Sequence, residues 1–427
     1  SLYEHARALG ATDLFISAVA TRERLYRRLG FTPLGPAVAS GDAAFVPMRV
    51  SLPELQRRQQ RFLRRRNLDD VPAPKVSLLP GPVPMAAAVR EAFCRPPLYH
   101  RSPEFIEIFE RVRRRLGELV GGREVALWNG SGTLANEAVA AHLAAEQPVG
   151  ESRGILLANG EFGDRLARQA LRCGLNPRVL RWEWGRPWDL GEVEAALASE
   201  PPGGWVWGVH LETSTGVLND LAGLVRRAQG HGQRVCMDCI SSLGAVPLDL
   251  RGVYLATGVT GKAIASYAGL SMVFADSAAL RPTDPARLPD TFDIAAALAT
   301  RGPAHTFPSA FVLAADAALA AYATADLARD RYAHLAALGR HIRDRLRRLG
   351  LTPLAEEVTA APVITTFAPP HGESTAGFLD RGQGWGFALA GQSRYLAERR
   401  LVQIATMGVL SKKDLAPFFA RLESYLQ

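Results

Sequence analysis

The sequence is poor in lysine although it is rich in positive charge. Only four of its 50 basic residues are lysine, and the rest are arginine; 42 acidic residues leave a formal net charge of +8. The lysines are Lys75, Lys262, Lys412 and Lys413. Basic proteins that bind nucleic acid gather their cations on one face or stripe. Because the arginines here are spread along the whole chain, we expect no nucleic-acid partner.

One stretch departs from this even spread and places arginine densely in a predicted helix. Its arginines are Arg57, Arg58, Arg61, Arg64, Arg65 and Arg66. Leu55, Phe62 and Leu63 lie among them, as in a helix with one apolar side. Two interpretations are open: a solvated helix face or interdomain linker, and a nucleic-acid or anion site. We favour the first.

Cysteine is equally scarce, and long apolar runs are missing. Of the four cysteines, Cys236 and Cys239 form a CxxC in a predicted buried strand, but no second pair completes a zinc set. We therefore interpret them as small hydrophobic residues and expect no metal. No apolar run approaches the roughly 18 residues that span a bilayer, and no signal-peptide pattern is present. We expect a cytoplasmic protein without a membrane partner, and the first residue, Ser1, suggests a processed or cloned fragment.

The order of apolar segments predicts an α/β fold. Hydrophobic residues make up 48% of the chain, which is enough for a sizeable core. Strands are predicted in EVALWNG, GILLANG, WVWGVHLE, RVCMDCI and GVYLATGV, with helices from Leu134 and from Asp164 to Cys173 between them. Such alternation is typical of a mostly parallel sheet with helices on both faces, which binds its ligands at the carboxyl ends of the strands.

The N-terminal 50 residues form a separate predicted unit. A helix over Leu2–Leu9 precedes a strand over Leu14–Val19, a helix ending at Gly30 and a strand over Phe45–Val50. This order, with the phrase LYRRLGF, resembles the C-terminal end of a GNAT-type acyltransferase. An unrelated αβ extension is the alternative.

The remaining chain divides into three predicted parts. Residues 51–75 comprise the arginine-rich helix and the proline-rich tether VPAPK. Residues 76–310 contain the alternating strands and helices of the large domain. Residues 311–427 contain long Ala/Leu/Arg helices, the short strands PVITTFA and RLVQIATM, and a closing helix. This last pattern predicts a smaller α+β domain.

A small-residue loop, NGSGTLANEAV, follows the first predicted strand of the large domain. Its glycines let the backbone approach an anion closely, and Ser131 and Thr133 add hydroxyl donors. The helix that begins there supplies free N–H groups and a favourable dipole. The loop therefore suits a phosphate or carboxylate, although an ordinary capped helix start uses the same residues.

Two further candidate catalytic residues follow this loop along the chain, first an aspartate and then a lysine. Asp238 ends an apolar strand, where a carboxylate is costly to bury unless it meets a partner such as a protonated pyridine nitrogen. It could equally cap the following turn. Lys262 lies in the loop TGVTGKAIAS, and burial would lower the pKa of its amine and make it available for a Schiff base. The alternative is a lysine that binds loop carbonyls.

This order of anion loop, aspartate and lysine resembles the fold-type I pyridoxal-phosphate enzymes. Local phrases over about residues 76–427 resemble the class V aminotransferases, the group of alanine–glyoxylate and 2-aminoethylphosphonate transaminases. The phrases are LLPGPVPM, SGTLANEA, ANGEFGDR, HLETSTGVLND, DCISSLGAVPLDL and TGK. The resemblance implies a mostly parallel, seven-stranded-type sheet sandwiched by helices, with pyridoxal 5'-phosphate as the cofactor.

The resemblance also implies roles for single residues. Lys262 would form the Schiff base and then act as the general base, and Asp238 would pair with the pyridine nitrogen. The phosphate would bind at Ser131, Gly132 and Thr133.

The remaining cofactor contacts are implied in the same way. Phe162 would stack on the ring, Ile240 would pack against it, and Thr213 would hydrogen-bond near the ring oxygen. Thr306, in AHTFPSA, would reach the phosphate site of a neighbouring subunit, so the resemblance implies a homodimer.

Two positions depart from the family pattern. Gly261 stands where many relatives have a phosphate-contacting residue. Gln403, in LVQIATMG, stands where the family has an arginine that binds the substrate α-carboxylate through two hydrogen bonds. A neutral amide cannot supply that charge. Another arginine substitutes, or the substrate is not an ordinary α-amino acid, or both are bound through a partner domain. The predicted substrate residues are Gln403, Arg394 and Arg301. The candidate arginines are Arg301, Arg394, Arg399 and Arg400.

The leading prediction is an aminotransferase that takes an amino group from a donor and passes it to a small keto or aldehyde acceptor. A lyase, decarboxylase or desulfurase on the same fold is an alternative, although neither Cys94 nor Cys173 is an obvious desulfurase cysteine. An acyltransferase-linked or catalytically silent binding module is an alternative of another class, against which the intact pair of Asp238 and Lys262 argues.

Overall fold

The computed structural model describes residues 10–40, 43–55, 76–147 and 153–427. The predicted helix over Leu2–Leu9, the arginine-rich stretch from Arg57 to Arg66 and the tether VPAPK lie outside these residues. The chain divides into two compact units, residues 1–73 and 74–427. The predicted division of the second unit at residue 310 stays a prediction.

The first unit is built on an antiparallel sheet. Its strands are β1 (Asp13–Val19), β2 (Thr32–Pro33), β3 (Val38–Ser40) and β4 (Ala43–Ser51), and its helix is α1 (Glu23–Arg28). The three short strands all pair with β4. Both strands predicted from the sequence are therefore present. The small core includes Met48 and Phe31, with Tyr26 of the helix packed against it.

The second unit contains the remaining strands and helices. The strands are β5 (Val76–Ser77), β6 (Glu124–Asn129), β7 (Gly154–Ala158), β8 (Arg178–Arg181), β9 (Trp205–Val209), β10 (Leu211–Glu212), β11 (Val217–Leu218), β12 (Arg234–Asp238), β13 (Leu255–Val259), β14 (Leu270–Ala275), β15 (Ile364–Phe367), β16 (Phe387–Ala388) and β17 (Val402–Ala405). The α-helices are α2 (Ala87–Phe93), α3 (Pro103–Leu119), α4 (Gly132–Ala145), α5 (Glu161–Arg172), α6 (Leu190–Ala198), α7 (Leu221–Gly230), α8 (Ile294–Ala299), α9 (Ser309–Ala318), α10 (Ala325–Arg348), α11 (Thr375–Gly384), α12 (Arg394–Glu398) and α13 (Lys412–Leu426).

A seven-stranded sheet with the order β6-β14-β13-β12-β9-β7-β8 forms the centre of the second unit. Only β14 runs against its neighbours, and the other six strands share one direction. The predicted α/β fold with a mostly parallel sheet is confirmed. Alternate residues of a strand belong to different cores: Val125 and Leu127 pack in one cluster, Ala126 and Trp128 in another. Helices therefore cover both faces of the sheet.

The shared direction of six strands brings the predicted functional segments to one edge. The anion loop follows β6, Phe162 follows β7, Asp238 ends β12 and Lys262 follows β13. Because the carboxyl ends of parallel strands meet at the same edge, these residues converge without being close in sequence. Two helices begin earlier than predicted, α4 at Gly132 and α5 at Glu161.

The C-terminal part adds small sheets and long helices. β15 pairs with β17 in an antiparallel sheet, and β5 pairs with β16 in a parallel one. A core of phenylalanine and leucine side chains lies between these strands and α10, α11 and α13. Among the described residues, no single helix has the length and apolarity to cross a bilayer. A pair over Ser309–Tyr322 and Ala325–Arg348, bent by 88°, meets that criterion only when both are counted together.

Candidate active site

A cavity of about 300 Å³ opens at the carboxyl edge of the central sheet. Its lining residues are Gly132, Thr133, Asn136, Phe162, Arg165, Val209, Leu211, Thr213, Asp238, Ile240, Ser241 and Lys262. Seven of the nine predicted cofactor residues are among them; Ser131 and Thr306 are not. The volume lies at the lower end of the range for small-molecule sites, roughly 300–1,000 Å³.

A larger groove lies elsewhere, beside Tyr322 and Tyr332. Its volume is about 980 Å³, but none of the predicted site residues lines it. The larger of these two volumes therefore does not mark the predicted active site. The smaller cavity is the better candidate because it combines a buried carboxylate, an amine and a helix N-terminus.

The anion loop is arranged to receive a ligand and not merely to cap a helix. Ser131 holds the N-cap position of α4, yet its side chain makes no capping hydrogen bond. Its hydroxyl is therefore not committed to the helix. A methyl group on Gly132 would lie 2.3 Å from Cδ1 of Ile240 and 3.3 Å from Cγ1 of Val259. Only glycine keeps the space between the helix start and Ile240 open.

The Asp238 carboxylate is buried at the base of the cavity. One oxygen accepts a hydrogen bond from Nδ2 of Asn136 at 2.9 Å, and the other accepts one from the backbone N–H of Ile240 at 2.9 Å. Asn136 is in turn held by the Thr257 hydroxyl, which donates to its carbonyl oxygen at 2.7 Å. Burial raises the pKa of Asp238, although these hydrogen bonds and the charge of Lys262 oppose the rise. The turn-capping interpretation thus accounts for one oxygen only.

The Lys262 loop is tightly built between β13 and β14. The backbone N–H of Ala265, which has a φ of 59°, donates to the carbonyl of Lys262 at 2.8 Å. The Tyr322 hydroxyl donates to the carbonyl of Ala263 at 3.0 Å. A side chain on Gly261 would begin 2.7 Å from Cα of Ala268. This close approach explains why glycine replaces the phosphate-contacting residue of the family pattern.

The Lys262 amine faces both the cavity and the opening segment of the second unit. A Cβ atom on Gly81, in LLPGPVPM, would lie 3.8 Å from the Lys262 Nζ. Burial lowers the pKa of Lys262 to about 8; the Asp238 charge opposes this shift and the Arg165 charge adds to it. A lysine of this kind is partly neutral near physiological pH and can act as a nucleophile or base.

Phe162 is held in place by the buried Glu212. The Glu212 carboxylate accepts hydrogen bonds from the backbone N–H groups of Phe162 at 3.3 Å, Gly163 at 3.0 Å and Ser214 at 3.1 Å. A Cβ atom on Gly160 would lie 2.5 Å from the same side chain. Burial raises the pKa of Glu212 to about 7. Glu212 therefore fixes the start of α5 and with it the aromatic wall of the cavity.

Gln403 does not line the cavity. Its amide nitrogen donates to the carbonyls of Thr213 at 2.6 Å and Ser214 at 3.1 Å, and to the Thr366 hydroxyl at 2.9 Å. The side chain is fully buried, and its Oε1 atom has no partner. The residue that replaces the family arginine is thus a structural link between β17 and the HLETSTG segment. Gln403 is not among the lining residues, and its contact with substrate stays a prediction.

The candidate arginines also lie outside the cavity lining. Arg394 is exposed and 3.5 Å from Glu398. Arg399 lies over the ring of Trp184 at 3.8 Å. Arg400 and Arg301 are exposed. None of the four provides a cation inside the cavity of this subunit.

Four residues of functional interest were not singled out from the sequence. Asn136, Arg165 and Ser241 line the cavity, and Glu212 supports Phe162. Asn136 and Arg165 lie within the motifs SGTLANEA and ANGEFGDR, so these motifs could have identified both residues as candidates. Ser241 contacts the Thr213 hydroxyl through its own hydroxyl. Which atoms meet across the cavity depends on tertiary contacts that spacing along the chain does not reveal.

The cavity fits the cofactor implied by the sequence. It combines an uncommitted hydroxyl and free N–H groups at a helix start with a buried carboxylate whose pKa is raised. A phosphate suits the first feature, and a protonated ring nitrogen suits the second. Within the described ranges, no group of three or more His, Cys, Asp or Glu side chains could hold a metal ion.

Comparison with known proteins identifies the family to which this chain is similar. Residues 89–382 match the model of the family Aminotransferase class-V. A 2-aminoethylphosphonate–pyruvate transaminase of Pseudomonas aeruginosa is 30% identical over 324 residues, which cover 73% of this chain and 85% of that protein. A soluble hydrogenase 42 kDa subunit of Anabaena cylindrica is 27% identical over 361 residues, covering 82% of this chain and 92% of that one.

A solved aminotransferase structure is also similar to this chain. An aspartate aminotransferase of subgroup IV from Thermus thermophilus superposes with a TM-score of 0.73 and 26% identity. The superposition covers 82% of this chain and 99% of that chain.

The lowered pKa of Lys262 predicts a distinctive pH dependence. In the cofactor-free protein, the buried amine should be mostly protonated well below pH 8, and its reactivity should increase as the pH rises through about 8. An unperturbed lysine gains reactivity only near its ordinary pKa of about 10.4. Labelling with dinitrofluorobenzene, quantified on the Lys262 peptide, measures this. A Lys262 profile with its midpoint near the ordinary lysine pKa of about 10.4 would contradict the burial argument.

The hydrogen bonds of Gln403 predict a structural effect of its removal. Gln403→Ala should lower the free energy of unfolding by about 3 kcal/mol, because buried carbonyls lose their donor and a cavity remains. Chemical denaturation measures the change. Gln383→Ala, at an exposed position of α11, is the matched control and should change stability by less than about 0.5 kcal/mol. Equal, small effects of both variants would show that the Gln403 network is unimportant.

Proposed function

Because the chain belongs to the class V aminotransferase family and is a pyridoxal-phosphate-dependent aminotransferase, we propose that it transfers an amino group from an amino donor to a small keto or aldehyde acceptor at Lys262. One observation carries the proposal: an amine of lowered pKa, a buried carboxylate and an anion loop share one cavity. The phosphonate donor in the name of the Pseudomonas aeruginosa relative makes a small acidic amine a reasonable donor.

The roles of the residues follow from their positions. When bound, the cofactor supplies an electron-poor ring that stabilises negative charge on the substrate carbon. Lys262 would hold the cofactor covalently and, once released, would take and return the proton at that carbon. Asp238, oriented by Asn136, would keep the ring nitrogen protonated. Phe162 and Ile240 would enclose the ring.

The other polar lining residues would position the cofactor. Ser131, Gly132 and Thr133 would bind the phosphate through hydroxyl and N–H groups at the start of α4. Thr213, whose hydroxyl meets that of Ser241, would hydrogen-bond near the ring oxygen. The desulfurase alternative finds less support, because no cysteine is among the lining residues. The lyase and decarboxylase alternatives find less support because the relative from Pseudomonas aeruginosa is named as a transaminase.

We also propose a cytoplasmic homodimer. Thr306 is exposed and does not line the cavity of its own subunit, which is compatible with a contact to the phosphate of a neighbouring subunit. Arg301 precedes it on the same segment. Cytoplasmic location stays a prediction from the sequence.

The first unit supports a second proposal, that it is the C-terminal part of a GNAT-like acyltransferase joined to the aminotransferase. Its support is the sequence phrase LYRRLGF in a strand–helix–strand order. The gene provides the test: an upstream segment with an acyl-CoA-binding loop is expected, and a gene without one would contradict the proposal.

The dimer proposal predicts how Thr306 acts. Thr306→Ala should weaken pyridoxal-phosphate binding about three- to tenfold, in line with the roughly 0.5–1.5 kcal/mol of one hydrogen bond, while sedimentation still shows a dimer. Equilibrium dialysis measures the affinity. A monomeric wild-type protein, or unchanged cofactor affinity in the variant, would contradict the shared site.

The aminotransferase proposal predicts a spectroscopic response. The purified protein with pyridoxal phosphate should be yellow, and an amino donor should bleach the visible band until a keto or aldehyde acceptor restores it. A panel of small amines, including acidic ones, identifies the donor. Lys262→Ala should lose the band while keeping some cofactor bound at the anion loop. A band that never bleaches, or bleaches without recovery on adding any acceptor, would contradict amino transfer.

A further inference from the structure

Replacement of the family arginine leaves the substrate side of the cavity without its expected cation. Gln403 is committed to backbone carbonyls and the Thr366 hydroxyl. Only two lining residues carry a positive charge, Lys262 and Arg165. Since Lys262 is assigned to the cofactor and to proton transfer, Arg165 is the one cation among the lining residues that remains for a substrate anion.

Arg165 is available for such a role because its local ion pair is weak. The nearest carboxylate oxygen, on Glu161, is 3.8 Å from the Arg165 guanidinium, beyond hydrogen-bonding distance. The same oxygen is 2.8 Å from Arg168 and accepts a hydrogen bond from it. The neighbouring arginine therefore satisfies Glu161. Arg165 retains about 39% of its side-chain exposure, so a ligand entering the cavity can reach it.

The guanidinium of Arg165 is positioned by the same aromatic wall that would cover the cofactor. Its Cζ atom lies 4.7 Å from the ring centroid of Phe162, one turn earlier on α5. Such a contact holds a guanidinium without consuming its N–H donors in ion pairs. The Tyr395 ring meets Phe162 edge-on, 6.1 Å between centroids. Arg165 thus lies beside an aromatic surface contributed by two distant segments.

The electrostatic influence of Arg165 extends to the reacting groups. Its positive charge contributes to lowering the pKa of both Lys262 and Asp238. A cation with this reach is close enough to affect a substrate attached near Lys262. Arg394, Arg399 and Arg400 do not line the cavity.

We propose that Arg165 binds the acidic group, a carboxylate or a phosphonate, of the amino donor or acceptor, and so replaces the arginine missing at position 403. The proposal rests on the proposed aminotransferase function and specifies its substrate class. The planar guanidinium can donate two parallel hydrogen bonds to either group. The enzyme would accordingly favour amines and keto compounds with an oxyanion over their neutral analogues.

Three unreactive probes test this on the protein loaded with pyridoxal phosphate. Calorimetric titration with propionate, ethylphosphonate and propionamide gives their dissociation constants. In the wild-type protein, at least one anion should bind and propionamide should bind much more weakly. Arg165→Gln should weaken anion binding about ten- to a hundredfold, the equivalent of one lost charge-assisted hydrogen-bonding group, and Arg165→Lys should restore part of it.

Arg172→Gln is the matched control, because Arg172 is exposed on the same helix and does not line the cavity. It should leave all three affinities unchanged. In the cofactor-free protein, Arg165→Gln should also raise the pKa of Lys262, whereas Arg165→Lys, which keeps the positive charge, should leave it nearly unchanged. Preference of ethylphosphonate over propionate, or the reverse, identifies the acidic group.

The outcomes separate this proposal from the general function. Arg165→Gln with unchanged anion affinity, or a selective loss in Arg301→Gln instead, would overturn the role of Arg165 while leaving amino transfer intact. Weaker binding of pyridoxal phosphate itself in Arg165→Gln, with unchanged preference for anions over propionamide, would assign Arg165 to the cofactor and overturn the proposal. Failure of every amine to bleach the visible band would instead refute the aminotransferase function, whatever the probes show.

Discussion

The site depends on burying two oppositely charged groups, Asp238 and Lys262, in one small cavity. Removal from water penalises both charges: burial raises the pKa of the carboxyl and lowers that of the amine. The amine becomes a usable nucleophile and base because of this penalty. The carboxylate is supported by Asn136 and the Ile240 N–H, and a protonated ring nitrogen would complete its environment. The loop, the strand ends and the close glycine contacts all serve to maintain this arrangement.

The predicted cofactor residues and Gln403 occupy different parts of the structure. Cofactor contacts come from the edge of the parallel sheet, where the fold itself brings the strand ends together. At the family's substrate-binding position, Gln403 is fully buried and links β17 to the HLETSTG segment. Arg165, held against Phe162, lies on the cofactor side of the cavity and yet is exposed enough to meet a substrate.

Much of the fold and the cofactor site was predictable from the sequence, because apolar periodicity gave the strands and short phrases gave Asp238 and Lys262. The short sequence motifs identified the segments of the site but not which side chains contact one another. Neither the hydrogen bond between Asn136 and Asp238 nor the inward position of Arg165 follows from spacing, since both depend on how helices pack on the sheet. The motif around Gln403 gives the position of this residue along the chain but not the direction of its side chain, which hydrogen-bonds to the carbonyls of Thr213 and Ser214.

The most direct test of this assignment is peptide mapping after the folded protein is incubated with pyridoxal phosphate and reduced with borohydride. We expect one phosphopyridoxyl group per chain, on the peptide that contains Lys262. Lys75, Lys412 and Lys413 should remain unmodified at the same cofactor concentration. Modification spread over these three lysines, or a folded protein whose Lys262 stays unmodified, would contradict the assignment.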